Sequence, residues 1–230
     1  MKNRYVKFHY ENITILISIL KILNFISMKS KILNEGIKHL SKDKKLSSLI
    51  NEFEKPVFYK STNYYDDLCK SIIYQQLSGK VAKIIYHRFL NLFPNKVPNF
   101  KKTLDLKFEE LKKIGLSKQK ITYIDNLAKY FYNKKNIDFV KYSDESLRKE
   151  LIKIKGIGPW TIDMFLMFTM HRTDILPVGD LGIKKAFQIL YKLKELPSKE
   201  LMIEMSAKWK PYRTIACCYL WYLVDDGDVW

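Results

Sequence analysis

The segment from Lys155 to Trp160, Lys-Gly-Ile-Gly-Pro-Trp, constrains the fold more than any other part of the chain. It lies between two stretches that carry apolar residues at helical spacing. Gly156 and Gly158 allow a tight turn with exposed backbone N–H groups, and Pro159 suits the first turn of a helix, where its missing N–H costs nothing. The segment therefore predicts a hairpin between two helices that presents N–H groups to a phosphate. An ordinary turn between two helices also favours glycine and is the alternative.

Charge and composition narrow the class of partner. The 230 residues include 41 Lys and Arg against 24 Asp and Glu, which gives a formal net charge of +17. Such a charge favours nucleic acid as the source of the phosphate, although a lysine-rich genome explains it equally well. Three cysteines indicate a reducing compartment and are too few for the four ligands of an iron–sulfur cluster. The four histidines are scattered without metal-ligand spacing.

Helical patterns follow one another along the chain, with few glycines and prolines and no strand set of period two. They predict an all-α fold. Ser143 is a suitable N-cap for a helix that ends near Ile154. The other predicted helices span residues 64–76, 79–92, 108–114, 118–132, 159–170, 180–193, 198–208 and 213–224, and residues 94–98 are predicted to form a loop.

Residues 1–27 differ from the rest and predict a leader or extension in front of a single domain of residues 28–230. The apolar stretch 13–28 is shorter than the ~20 residues that span a bilayer, and no small-residue cleavage site follows it. Three explanations remain open, in order of preference. They are a reading frame extended upstream of Met28, an organelle-targeting leader and a membrane anchor.

Asp180 is an isolated acid about twenty residues after the hairpin, in the stretch Leu176-Pro177-Val178-Gly179-Asp180. It stands where a helix is predicted to begin, so it is also a candidate N-cap. Both roles are compatible if one carboxylate oxygen caps the helix and the other faces a cleft. Asp163 and Asp174 are the competing acids nearby.

Four motifs occur in the order found in the helix-hairpin-helix DNA glycosylase superfamily. Residues 151–165 resemble its hairpin, and residues 176–180 resemble its Gly/Pro-rich loop with a catalytic aspartate. Residues 73–82, Ile-Tyr-Gln-Gln-Leu-Ser-Gly-Lys-Val-Ala, resemble the early helix pair of the alkylbase (3-methyladenine type II) glycosylases, and residues 209–214 with 219–221 resemble their C-terminal signature. The resemblance covers roughly residues 28–221 and is to the short form, which lacks the N-terminal β domain of some long members.

This resemblance implies two helical lobes with a cleft and a hydrolase that releases alkylated purines, of the 3-methyladenine or 7-methylguanine type, in base excision repair. Asp180 is then the catalytic residue, whose charge stabilises a transition state similar to an oxocarbenium ion. N3- or N7-alkylated purines are already cationic, so they leave without a strong general acid. Trp160 replaces the nucleophilic lysine of the glycosylase/lyase members, which implies a monofunctional enzyme without a Schiff base. Neither Asp163 nor Asp174 falls on the catalytic position.

The damaged base has to leave the duplex before it is cleaved. Trp160, Tyr212 and Trp209 are the candidates for an aromatic pocket, in which a cationic base gains ~0.5–2 kcal/mol from cation–π attraction. The resemblance implies that Gln76 faces the lesion or its partner, and that Leu77 fills the vacated stack. The aromatic residues and Leu77 have a core-packing alternative, and core packing is the role predicted for Tyr74, Tyr219 and Trp221.

The hairpin residues are assigned to the DNA backbone and to an ion. The DNA-binding residues are Lys155, Gly156, Ile157 and Gly158, together with Leu77. The resemblance implies a monovalent cation held by the backbone carbonyls of Ile152, Ile154 and Gly156. No other cofactor and no iron–sulfur cluster are expected.

The expected partner is double-stranded DNA with alkylated bases, bound by a monomer without stable membrane association. The location is the cytoplasm or nucleoid of a bacterium, or the nucleus of a eukaryote. Two alternatives stay open at this point. One is a uracil, mismatch or other damaged-base glycosylase on the same fold, and the other is a non-catalytic DNA-binding protein with the same hairpin.

Overall fold

The computed structural model describes residues 30–61, 63–134 and 137–224, so the leader predicted for residues 1–27 lies outside the described residues. All regular elements in the described ranges are helical, which confirms the all-α prediction. The α-helices are α1 (Ser30–Leu40), α2 (Lys44–Glu52), α3 (Tyr64–Tyr74), α4 (Gly79–Leu90), α5 (Phe100–Asp105), α6 (Phe108–Lys113), α7 (Lys118–Asn133), α8 (Asp144–Leu151), α9 (Pro159–Met164), α10 (Leu181–Tyr191), α11 (Lys199–Met205) and α12 (Arg213–Tyr222). None of the described helices is long and apolar enough to cross a bilayer.

Side-chain caps set several of the helix starts that the sequence predicts. Ser143 Oγ accepts the N–H of Ser146 at 3.2 Å, as expected for the start of α8. Ser117 and Ser198 cap α7 and α11 in the same way. The predicted loop 94–98 contains one short 3₁₀ turn, Pro94–Lys96. Another 3₁₀ turn, Ala207–Trp209, occupies the end of the helix predicted for 198–208.

The first lobe is built around α7, which packs against α3, α5 and α6. Its apolar face buries Ile121, Ile124 and Leu127. Tyr65 on α3 is buried there too, and its hydroxyl donates to Thr103 Oγ1 at 2.8 Å, so the polar end of the ring is satisfied inside the core. This lobe holds the turn between α3 and α4.

The second lobe is built around α12, whose residues 214–221 are all buried. Helices α1, α2 and α10 pack against it. Gly36 allows α1 to approach closely, because a Cβ at this position would lie 2.5 Å from the Cδ1 atom of Ile215. This lobe presents the start of α10, where Asp180 lies.

The two lobes meet along α9 and the π-helical turn Phe165–Thr169 that continues it. Phe165 points into the first lobe, with its ring centroid 5.5 Å from that of Phe139. Phe168 points to the second lobe, 5.8 Å from the ring of Trp221. The wider turn, closed by a bond from Met170 N–H to Phe165 O at 3.0 Å, replaces the regular end of the helix predicted for 159–170.

Candidate active site and DNA interface

The Asp180 carboxylate lies at the junction of the lobes and accepts three hydrogen bonds. Its Oδ1 atom accepts the backbone N–H of Ile183 at 2.8 Å and caps α10. The same atom accepts the indole N–H of Trp221 at 3.1 Å. The Oδ2 atom accepts the indole N–H of Trp160 at 2.6 Å. The predicted N-cap is therefore present, and two tryptophans fix the orientation of the carboxylate, whose catalytic role stays a prediction.

Gly182 makes the approach of Trp221 sterically feasible. A Cβ on this residue would lie 3.1 Å from Asp180 Oδ1 and 3.2 Å from Trp221 Cδ1, which is tighter than ordinary contact. Trp221 itself is only 4% exposed, and its other neighbour is the ring of Phe168. Trp221 was predicted to be a core residue, and it is buried. The prediction did not include its hydrogen bond to Asp180.

Each competing acid is neutralised by an arginine. Asp163 Oδ1 lies 2.6 Å from a guanidinium nitrogen of Arg148. The pKa of Asp163 lies above its usual value, first because the carboxyl is buried and also because Asp180 is negatively charged. The charge of Arg148 acts in the opposite direction. Asp174 receives two bonds from Arg213, at 2.6 and 2.9 Å. No ion pair to Asp180 occurs among the described residues, so its negative charge remains available to a positively charged group.

The structure separates the three aromatic residues predicted for the pocket. Trp160 is half-buried beside Asp180, as expected. The prediction for Trp209 is wrong, because this residue is 0% exposed and donates its indole N–H to Asp43 Oδ2 at 2.8 Å, inside the second lobe. Tyr212 packs against α1, with its ring centroid 5.5 Å from that of His39.

The hairpin has the predicted shape, but the role predicted for Ile157 needs correction. Gly156 has φ of +110°, and a Cβ there would lie 2.2 Å from the ring of Tyr123, so this position requires glycine. Within the described residues, the N–H groups of Gly156 and Gly158 make no hydrogen bond, whereas that of Ile157 donates to Ile154 O at 2.9 Å. Ile157 is also buried, so the structure assigns it to the turn and not to direct contact with DNA.

The carbonyls predicted to hold a cation belong to Ile152, Ile154 and Gly156. The Ile154 oxygen accepts the N–H of Ile157, and the Gly156 oxygen accepts the side-chain amide of Gln75 at 3.0 Å. A carbonyl oxygen has two lone pairs, so each retains one for an ion. The Ile154 and Gly156 oxygens are therefore still able to accept a ligand, and the monovalent cation stays a prediction. The described residues contain no cluster of His, Cys, Asp or Glu suited to a metal ion.

The turn between α3 and α4 carries Gln76 and Leu77 on the surface. Gln76 has a left-handed backbone with φ of +56°, and Leu77 is 38% exposed. An exposed leucine at the tip of a turn excludes the core alternative for this residue. Gln75, directly before Gln76, was not predicted to have a role, yet its amide bonds to the hairpin and to Thr161 Oγ1. The only sequence signal was its place beside Gln76.

A separate cavity of about 230 Å³ is lined by Phe168 and by residues of α3. Asp66 is among its lining residues and accepts the hydroxyl of Tyr86 at 2.8 Å. Burial raises the pKa of Asp66 to about 6, although the Tyr86 hydrogen bond acts in the opposite direction. Asp180 is not among the residues that line this cavity.

Comparison with known proteins finds relatives of this chain in both sequence and fold. The family model of the HhH-GPD superfamily base excision DNA repair protein matches residues 69–211. DNA-3-methyladenine glycosylase 1 of Schizosaccharomyces pombe is 30% identical over 182 residues, which are 77% of this chain and 80% of the relative. The solved structure of the S. pombe 3-methyladenine DNA glycosylase in complex with abasic DNA superimposes with a TM-score of 0.76 and 28% identity, over 85% of this chain and 99% of that one. A DNA-3-methyladenine glycosidase from Bacillus halodurans gives a TM-score of 0.65 and 33% identity, over 80% and 86% of the two chains.

Proposed function

Since this chain belongs to the HhH-GPD superfamily of base excision DNA repair proteins, we propose that it hydrolyses the N-glycosidic bond of alkylated purines in DNA, with Asp180 as the catalytic carboxylate. Relatives named DNA-3-methyladenine glycosylase support the alkylated-purine substrate. The product is a free base and an abasic site in the duplex.

The observation that carries this proposal is the arrangement around Asp180. Two indole N–H groups and one backbone N–H hold a carboxylate that has no ion pair within the described residues. A fixed, uncompensated charge stabilises positive charge that develops on the sugar as the glycosidic bond breaks. The nearby Asp163 cannot take this role, because Arg148 already neutralises it.

The leaving group explains why one carboxylate suffices. A purine alkylated at N3 or N7 carries a positive charge and departs as a neutral base, so no acid has to protonate it. The half-buried Trp160 places an aromatic ring beside the acid, where a cationic base is stabilised by the π face. Trp160 also occupies the place at which an amine nucleophile would attack the sugar, so Asp180 acts on water and no covalent intermediate forms.

DNA is held by the two exposed turns. The free N–H groups of Gly156 and Gly158, with the charge of Lys155, are suited to one phosphate and read no sequence. A cation on the carbonyls of Ile152, Ile154 and Gly156 would add positive charge at that phosphate, and base release itself does not require it. Leu77 is placed to fill the gap left by the flipped nucleotide.

The proposal is tested with duplexes that contain one 7-methylguanine, uracil or 8-oxoguanine, followed by hot alkali to cut abasic sites. We expect alkali-dependent cleavage at 7-methylguanine and little at the other two. Cleavage mainly at uracil or 8-oxoguanine would show that alkylated purines are not the main substrates. If the protein binds these duplexes but cleaves none of them, a non-catalytic DNA-binding protein is favoured.

A further inference from the structure

Gln75 lies between the two turns that the proposed function places on DNA. Its Nε2 atom donates to the carbonyl oxygen of Gly156 in the hairpin at 3.0 Å and to Thr161 Oγ1 in α9 at 2.9 Å. Its own backbone ends α3 and leads into the turn that carries Leu77. One side chain therefore connects parts of the chain that are 81 and 86 residues apart.

Helix α7 supports each of these turns separately. Lys120 Nζ donates to the carbonyl oxygen of Ile73, near the end of α3, at 2.8 Å. Asn126 Nδ2 donates to the carbonyl oxygen of Lys155 in the hairpin at 3.2 Å. Both side chains project from α7, and each makes a hydrogen bond to one of the two segments but not to the other. The side chain of Gln75, in contrast, bonds across from one turn to the other.

We propose that Gln75 is a positioning residue that couples the two turns, so that phosphate binding by the hairpin and insertion of Leu77 occur in one fixed register. Insertion of an apolar side chain requires unstacking of the duplex, which is offset only when the backbone is held at the matching distance. Gln75 makes no described hydrogen bond to Asp180, and the proposal assigns it an effect on the geometry of bound DNA. The inference rests on the proposed function, because it assumes that both turns bind DNA.

The test compares Gln75→Met with Asn126→Ala in the full-length protein. Methionine keeps the length of the side chain but removes both amide donors. Asn126→Ala removes a bond to the hairpin alone and is the matched control. The probes are a duplex with a tetrahydrofuran abasic-site analogue, which cannot be cleaved and offers a vacated stack, and an undamaged duplex of the same sequence. The melting temperature of each variant is measured in parallel.

Wild type is expected to bind the abasic-site duplex more tightly than the undamaged one. Gln75→Met should keep its affinity for undamaged DNA within about twofold and lose about tenfold for the abasic-site duplex, which corresponds to about 1.4 kcal/mol. Asn126→Ala should change both affinities by the same factor. If Gln75→Met leaves the ratio of the two affinities unchanged, whether or not both of them fall, the coupling proposal is wrong. A wild-type protein without any preference for the abasic-site duplex would instead contradict the proposed function.

Discussion

Removal of the indole N–H that holds Asp180 should slow base release without abolishing DNA binding. Trp160→Phe keeps an aromatic ring but deletes the donor that lies 2.6 Å from Oδ2, which is the only described bond to that oxygen. A hydrogen bond to a charged group contributes about 1.5–3 kcal/mol, so excision should fall about 10- to 100-fold. Trp221→Phe should lower the rate of excision less, by about tenfold at most, because Asp180 Oδ1 still accepts the N–H of Ile183 at 2.8 Å.

The assay is single-turnover release of 7-methylguanine from a duplex, with affinity for an abasic-site duplex as the binding control. A double-mutant cycle separates the hydrogen bond from other roles of the ring. If Trp160 acts through Asp180, then Trp160→Phe should have almost no further effect in an Asp180→Asn background. Full activity of Trp160→Phe, or an undiminished effect in the double variant, would refute this reasoning.

Three further predictions concern the chemistry, the hairpin and stability. Borohydride treatment of the protein with lesion-containing DNA should trap no covalent complex, because Trp160 supplies no amine, and a strong trapped band would place the protein among the lyases. Gly158→Val should fold normally, since a Cβ there meets nothing within 4 Å, and should weaken binding to damaged and undamaged duplexes alike; unchanged affinity would reduce the hairpin to a simple turn. Asp66→Asn should stabilise the protein increasingly from pH 4 to pH 7, by at most about 3 kcal/mol. The pKa of Asp66 is raised to about 6 in the folded state, so its ionisation opposes folding as the pH rises, and a pH-independent difference in the free energy of unfolding would contradict this.

Most helices were predictable because their signals are local. The apolar spacing of residues 118–132 matches the buried face of α7, and Ser143 caps α8 as its place in the sequence indicates. Three described helices were not predicted: α1 (Ser30–Leu40), α2 (Lys44–Glu52) and α5 (Phe100–Asp105). The π-helical turn was also missed, since it depends on how Phe165 and Phe168 pack into different lobes.

The site was predictable only in part, because burial of a tryptophan depends on distant residues. Trp209 and Trp221 lie in similar parts of the C-terminal signature, yet one donates to Asp43 and the other to Asp180. The bond of Trp209 spans 166 residues and that of Trp221 spans 41, so no local pattern distinguishes a core tryptophan from one that holds the acid. Asp180 itself was found because its motif follows the hairpin along the chain.

The central claim is tested most directly by single-turnover base release from methylated duplex DNA by wild type and by Asp180→Asn. Asparagine is an equally good N-cap, so the substitution removes the charge while it leaves the start of α10 intact. We expect wild type to release 3-methyladenine and 7-methylguanine, and the variant to bind DNA within a few-fold of wild type but to release bases at least ~100-fold more slowly. Release by Asp180→Asn at a rate near that of wild type would contradict the assignment of Asp180 as the catalytic carboxylate.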